Sequence, residues 1–329
     1  MTALVIRNLS VEFSSSKGVF RAVDGFDLDV ASAESVGLVG ESGSGKSTAM
    51  LAVMGLLPSF ARVRADELRF GDIDLRNASP RKRRKALGSA ISMIFQDPLS
   101  SLNPCFTIGW QITDVLKLNR TVPSEKIRDR VLELLALVGI PSPEQRYHAY
   151  PHQLSGGLCQ RVMIAMALAG EPKLLIADEP TTALDVTVQK QILDLLCDLQ
   201  KKRQMSLMLI THDMGVVAKM AQRVYVMYGG FSVEEGKTRD VLERPRHPYA
   251  AALLRSMPEA AIGKARLPMI PGMVASGPDL PPGCLFAPRC ERANEVCNGE
   301  MPPMEHGPDR GVRCYDPLLE PFRPLEGKS

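Results

Sequence analysis

The stretch Gly40-Glu41-Ser42-Gly43-Ser44-Gly45-Lys46-Ser47-Thr48 decides the fold. It fills every position of the phosphate-binding pattern G-x-x-x-x-G-K-[ST]. Working outward, Val36-Gly37-Leu38-Val39 is an apolar run typical of a buried strand, and Ser47 to Leu57 reads as a helix. A strand that stops in a glycine-rich turn and feeds a helix aims backbone N–H groups and the positive helix end at one point. Gly43 and Gly45 let the backbone approach phosphates closely, with Gly40, Ser42, Ser44 and Thr48 completing the loop. Lys46 is expected to neutralise the β- and γ-phosphates, and the Ser47 hydroxyl to ligate Mg²⁺. A nucleoside triphosphate is the expected ligand.

The bulk numbers set wide limits. A chain of 329 residues suits one large domain with an appendage, or two domains. Its 45% hydrophobic and 23% charged content is that of a globular protein. A formal charge of +3 is too small to make nucleic acid the expected main partner. No apolar run approaches the length that spans a bilayer. Met1 to Arg7 lacks the basic-then-apolar pattern of a signal peptide, so the cytosol is the expected compartment. There, seven cysteines point to metal ligands or buried apolar residues before disulfides.

Along the chain, Leu4–Ile6, Val11–Phe13 and Phe26–Val30 read as short antiparallel strands. Residues 60–95 hold further short strands and one basic cluster, Arg81-Lys82-Arg83-Arg84-Lys85, expected on a solvated helix face. From Pro98 to about Gly170 the pattern is helical, with Val131–Val138 apolar at helix spacing. Leu174–Ala177 and Leu207–Ile210 read as strands flanking a helix over Thr187–Lys202, a β-α-β arrangement that implies a parallel sheet. Prolines crowd the region 258–308, and a domain boundary is expected near Arg244.

The strand Leu174–Ala177 ends in two carboxylates, Asp178 and Glu179. Asp178 is placed to hold the Mg²⁺ shell, and Glu179, projecting to the other side, to take a proton from an attacking water. Between these and the glycine loop lies Leu154-Ser155-Gly156-Gly157-Leu158. With that segment the chain resembles the ATPase subunit of an ATP-binding cassette (ABC) transporter over residues 1–245. The resemblance implies an α/β fold: a P-loop NTPase core with an antiparallel β subdomain, a helical signature subdomain over about 98–170, and a small cysteine-containing C-terminal extension over 246–329. It implies that Phe13 stacks on adenine, with Phe20 competing. It implies that Gln96 reaches Mg²⁺, that Leu154 to Gly157 form the signature loop, that Ala183-Leu184-Asp185 form the D-loop, and that His212 is the switch histidine. Leu158 departs from the glutamine commonest in the family. The implied mechanism is a nucleotide sandwich: the phosphate loop of one cassette faces the signature loop of another. One such loop per chain requires a second cassette.

Further segments narrow the likeness. They are Ser100-Ser101-Leu102-Asn103-Pro104, Arg161 to Leu168, His247-Pro248-Tyr249, Ile270-Pro271-Gly272, Gly283-Cys284 and Pro288-Arg289-Cys290. Together they resemble the ATPases of dipeptide, oligopeptide and nickel importers. That likeness implies ATP hydrolysis driving uptake of short peptides, two permease subunits and an extracytoplasmic binding protein. It also implies a paralogous ATPase as heterodimer partner and a peripheral place on the cytoplasmic face of the inner membrane. Nickel or another small solute is the alternative cargo. A soluble ATPase outside transport is the alternative role, but such proteins usually carry two cassettes or a coiled-coil insertion. Cys284, Cys290, Cys297 and Cys314 could hold a [4Fe–4S] cluster or tetrahedral zinc. Their spacing lacks the C-x₂-C pair usual in zinc ribbons. The likeness implies the cluster, in a structural role. Cys105, Cys159 and Cys197 read as apolar fillers or bystanders.

Overall fold

The computed structural model describes residues 2–15, 18–182, 184–257, 269–275 and 280–321. They form two compact units. One contains Ala31–Glu34 and Asn77–Met208; the other contains Leu4–Val30, Ser35–Arg76 and the residues from Leu209 onward.

In the first unit, the strands Ile91–Ile94 and Leu174–Asp178 pair in parallel, Ile91 opposite Leu174 and Ile94 opposite Ala177. Leu174 to Ala177 are fully buried, as expected of a strand covered on both faces. Between the two strands the described chain is helical, with longer helices at Ile108–Asn119, Ile127–Leu137 and Gly156–Ala169. The stripe Ile127, Val131, Leu134 and Leu135 turns one face of the second helix inward, at the spacing read from the sequence. Buried Gln111 staples the preceding turn: its Oε1 accepts from the Asn103 N–H at 3.0 Å, and its Nε2 donates to the Asn103 and Phe106 carbonyls at 3.0 Å each. The basic cluster lies on a short helix, Pro80–Lys85, with no buried residue.

In the second unit, the strand Thr2–Ser15 from Leu4 onward anchors an antiparallel sheet, pairing with Ala61–Arg64 and with Glu67–Phe70. The two short strands read in its sequence are one element. Asn8, which looks like a turn, takes φ 53° inside the strand. Its backbone N–H donates to Asp27 Oδ1 at 2.8 Å and its side chain to Asp66 Oδ2 at 2.9 Å, so the irregularity is bonded in place. The other sheet sets Ser35–Val39 parallel to Arg223–Tyr228. It continues antiparallel through Phe231–Lys237, Arg310–Val312 and Glu305–His306.

The C-terminal residues share this unit's core. Leu285 and Phe286 are buried with Val39, Val224, Val226 and Leu253. Tyr228, Tyr249 and Phe286 pack edge to face with centroids 4.7–5.3 Å apart. Glu234, fully buried, accepts from the Arg246 and His247 N–H groups at 2.8 Å each and from Arg310. That ties strand, helix start and C-terminal hairpin to one carboxylate.

Candidate functional site

The strand Ser35–Val39 is buried throughout and delivers the chain to Gly40. A Cβ on Gly40 would lie 2.2 Å from the Met227 carbonyl oxygen, and one on Gly45 2.6 Å from that of Ala22. Gly45 also has φ 99°, so both positions are confined to glycine by packing and conformation together. The loop curls around Lys46, which is 5% exposed. Its Nζ donates to the Gly40 carbonyl at 2.7 Å, the Glu41 carbonyl at 2.8 Å and Ser44 Oγ at 3.1 Å. The helix Lys46–Met54 begins with no side-chain cap on its first N–H groups and no acidic residue in its first turn. That is the arrangement of an anion site.

Asp178 and Glu179 belong to the first unit. Asp178 closes the buried strand and is 5% exposed. At Glu179 the backbone turns sharply, with φ 43°. Glu179 Oε2 accepts from Thr182 Oγ1 at 2.8 Å and from Gln96 Nε2 at 3.1 Å. Two residues expected to act separately, Gln96 and Glu179, therefore meet directly.

Ser155 is the N-cap of the helix Gly156–Ala169, its hydroxyl accepting from the Leu158 N–H at 3.4 Å. Ser155 and Gly156 are exposed. A Cβ on Gly157 would meet Val188 at 2.8 Å, so the small residue seats this helix against Val186–Arg203. Leu158 takes part in the cap through its backbone alone. Asp185 caps Val186–Arg203 by accepting from the Thr187 and Val188 N–H groups at 3.1 and 3.0 Å. Ala183 lies outside the described residues. In the second unit, exposed His212 follows the strand Ser206–Thr211, and Asp213 caps the next helix by accepting from Gly215 and Val216. Phe13 and Phe20 stack on each other, centroids 6.5 Å apart, and Phe60 leans on Phe13 at 6.1 Å.

Cys284, Cys290, Cys297 and Cys314 line one pocket together with His247, Phe286 and Arg292. The Cys284 N–H donates to the Cys297 carbonyl at 2.8 Å, and Gly283 at φ 79° allows that approach. Burial pushes the Cys284 and Cys290 thiols up and Cys314 to about 11. Thiols in this setting stay protonated unless a cation compensates them. Among the described residues, no three His, Cys, Asp or Glu are grouped to hold a metal ion. Of the other cysteines, Cys159 is buried and Cys105 exposed.

The sequence reading gave no individual role to Thr182, Phe60, Tyr249, Glu41 or Arg289. The Glu41 N–H donates to Tyr249 Oη at 2.7 Å, and Arg289 forms a two-point ion pair with the Glu41 carboxylate at 2.8 and 2.9 Å. Position within the glycine loop and beside Cys290 was the one available signal. Nothing in the linear pattern joins residues this far apart.

The ABC transporter family model matches residues 23–182, and the model for the oligopeptide/dipeptide transporter C-terminal region matches residues 233–297. The chain is 52% identical over 326 residues to the dipeptide transport ATP-binding protein DppD of Haemophilus influenzae, covering 99% of each chain. It is 50% identical to DppD of Escherichia coli, covering 98% of this chain and 99% of that one. It is 46% identical to the oligopeptide transport ATP-binding protein AppD of Bacillus subtilis, covering 95% and 96%. Among solved structures, the ATP-binding cassette MJ0796 as a dimer bound to ADP and Pi is similar. That likeness has a TM-score of 0.64 at 27% identity and covers 72% of this chain and 99% of that one.

Proposed function

Because the chain belongs to the ABC transporter family, in its oligopeptide and dipeptide branch, we propose that it is the ATP-hydrolysing subunit of an importer of short peptides. The observation that carries this reading is that the likeness runs through both the cassette and the cysteine-bearing extension. We assign residues 1–245 to the cassette and 246–329 to the extension.

Gly40, Ser42, Gly43, Ser44, Gly45 and Thr48 supply the phosphate cradle, Lys46 the compensating charge, and Phe13 the adenine face. The hydroxyl of Ser47, the carboxylate of Asp178 and the amide oxygen of Gln96 are the hard oxygen donors that suit Mg²⁺. When bound, the ion neutralises charge on the β- and γ-phosphate oxygens. Glu179 accepts the proton of the attacking water while Gln96 and Thr182 hold its carboxylate, and His212 serves the γ-phosphate. Leu154, Ser155, Gly156 and Gly157, with Asp185 behind them, act on nucleotide held by a second cassette, a paralogue in a heterodimer. Leu99, Phe106 and Trp110 are exposed, the latter two stacked at 4.0 Å, and such a surface suits a partner subunit. Among the described residues no helix is long and apolar enough to cross a membrane. As an importer ATPase the subunit would sit peripherally, on the cytoplasmic face of the inner membrane, beneath two permease subunits fed by a peptide-binding protein. Nucleic acid has no part in this reading.

For the extension we propose a structural [4Fe–4S] cluster held by Cys284, Cys290, Cys297 and Cys314. Four thiols lining one pocket are what supports it. The cluster would supply the positive charge that keeps these buried sulfurs as thiolates.

The test of the main reading is Glu179→Gln in the transporter assembled with its permeases. ATP binding should persist while turnover disappears. Substantial remaining hydrolysis would refute the role of Glu179 as base.

A further inference from the structure

Glu41 is the second residue of the glycine loop, and its carboxylate is held by a two-point ion pair. The partner is Arg289, 248 positions away in sequence and one residue before Cys290. The guanidinium is 5% exposed. Nη1 donates to Glu41 Oε2 at 2.8 Å and to Tyr228 Oη at 3.2 Å; Nη2 donates to Glu41 Oε1 at 2.9 Å and to the Ile270 carbonyl at 3.3 Å; Nε donates to the Pro271 carbonyl at 2.6 Å. All five N–H bonds of the fork are thereby used. The rings of Tyr228 and Phe286 lie 5.7 and 6.0 Å from its carbon. The backbone of Glu41 is held as well, its N–H by Tyr249 Oη at 2.7 Å and its carbonyl by Lys46 Nζ at 2.8 Å.

This constellation has an electrostatic consequence. A loop built to receive a polyanion carries a carboxylate of its own. Left uncompensated in a partly buried setting, that charge would oppose the incoming phosphates. Arginine removes the repulsion, and its planar fork also fixes the carboxylate's direction.

We propose that Arg289, supported by Tyr249, is a positioning residue for nucleotide binding. By neutralising and orienting Glu41 it makes the glycine loop receptive to triphosphate, and it makes that receptivity depend on the cysteine-bearing extension being folded in place. The proposal rests on the reading of Gly40–Thr48 as the ATP site.

The experiment measures affinity of the full-length chain for Mg-ATP by displacement of a fluorescent ATP analogue, with thermal midpoints recorded for each variant. Arg289→Met should weaken binding by about tenfold or more. In the transporter assembled with its permeases, that loss should be read in KM, with kcat at saturating ATP within about twofold of wild type. Adding Glu41→Gln to Arg289→Met should restore affinity to within about threefold, because the charge to be compensated is gone. A merely structural role for Arg289 predicts no such rescue. Glu41→Gln alone should bind Mg-ATP no more weakly than wild type, which keeps the idea testable if Arg289→Met fails to fold. Unchanged affinity in a folded Arg289→Met, absence of rescue in the double variant, or weakened binding in Glu41→Gln would each overturn the proposal. Lys46→Ala separates the two readings. If it abolishes binding, the ATP-site reading stands and the other variants judge the tether alone; if it binds like wild type, both fall.

Discussion

Gln96 Nε2 donates to Glu179 Oε2 at 3.1 Å, joining the ends of two neighbouring parallel strands through their side chains. The carboxylate proposed as the base is thus oriented by a residue from the segment that leads into the helical region. Thr182 Oγ1 completes the hold at 2.8 Å. Thr182→Val should lower kcat by roughly tenfold with little change in ATP affinity, since it leaves the phosphate loop intact. Thr182→Ser should recover most of the rate. Steady-state kinetics on the assembled transporter check both, and equal loss in the two variants would argue for packing instead.

Gly45→Ala should be severe for local reasons. The new methyl would sit 2.6 Å from the Ala22 carbonyl, in a backbone conformation that alanine disfavours. The loop must shift to relieve it, so nucleotide affinity should fall by at least ~10-fold, while overall stability drops by only ~1–3 kcal/mol. Binding and thermal melts on the same preparation separate the two effects.

Glu234 and Arg310 give a stability prediction outside the nucleotide site. Removing one partner of a buried ion pair leaves the other uncompensated. Arg310→Ala should therefore cost roughly 3 kcal/mol or more in denaturant unfolding. Replacing both partners with apolar residues of similar size should cost less than the single change.

His247 makes folding sensitive to acid. Complete burial lowers its pKa from 6.5 to about 3, and neutral Nδ1 accepts from the Tyr249 N–H at 3.0 Å. Between those two values the unfolded chain binds a proton that the folded chain refuses. Stability from this group is complete above pH 6.5 and is lost as pH falls toward 3. The expected loss from pH 7 to pH 5 is about 2 kcal/mol. His247→Asn, which keeps a capping oxygen but does not titrate, should flatten the melting temperature across that interval. An identical acid slope in wild type and variant would exclude His247 as its source.

For the extension, anaerobically purified protein should contain about four iron and four sulfide per chain and absorb broadly in the visible. Cys290→Ser should lose that colour. A colourless preparation with stoichiometric zinc would rule the cluster out.

Much of this was readable from local sequence because its physics is local. Gly40 to Thr48 is a contiguous glycine-rich turn between a strand and a helix, and the strand before Asp178 announces itself by continuous apolarity. Helical character between Pro98 and Gly170 followed from periodicity alone. The strand Thr2–Ser15 was read as two short runs, and between them Asn8 at φ 53° keeps the chain in one element through its bonds to Asp27 and Asp66. Contacts such as Gln96 with Glu179, or Glu41 with Arg289, arise from tertiary placement and have no periodic trace. The apolar residues of the extension gave no sign that they would complete a core with Val39.

One hydroxyl carries a last implication. Ser155 Oγ spends a lone pair on the Leu158 N–H, and a hydroxyl so engaged still has its proton to give. The cap therefore settles in advance where that oxygen sits, at the exposed start of its helix. Rotational freedom at that side chain is surrendered when the subunit folds, so association around a neighbour's terminal phosphate would find it already pre-organised.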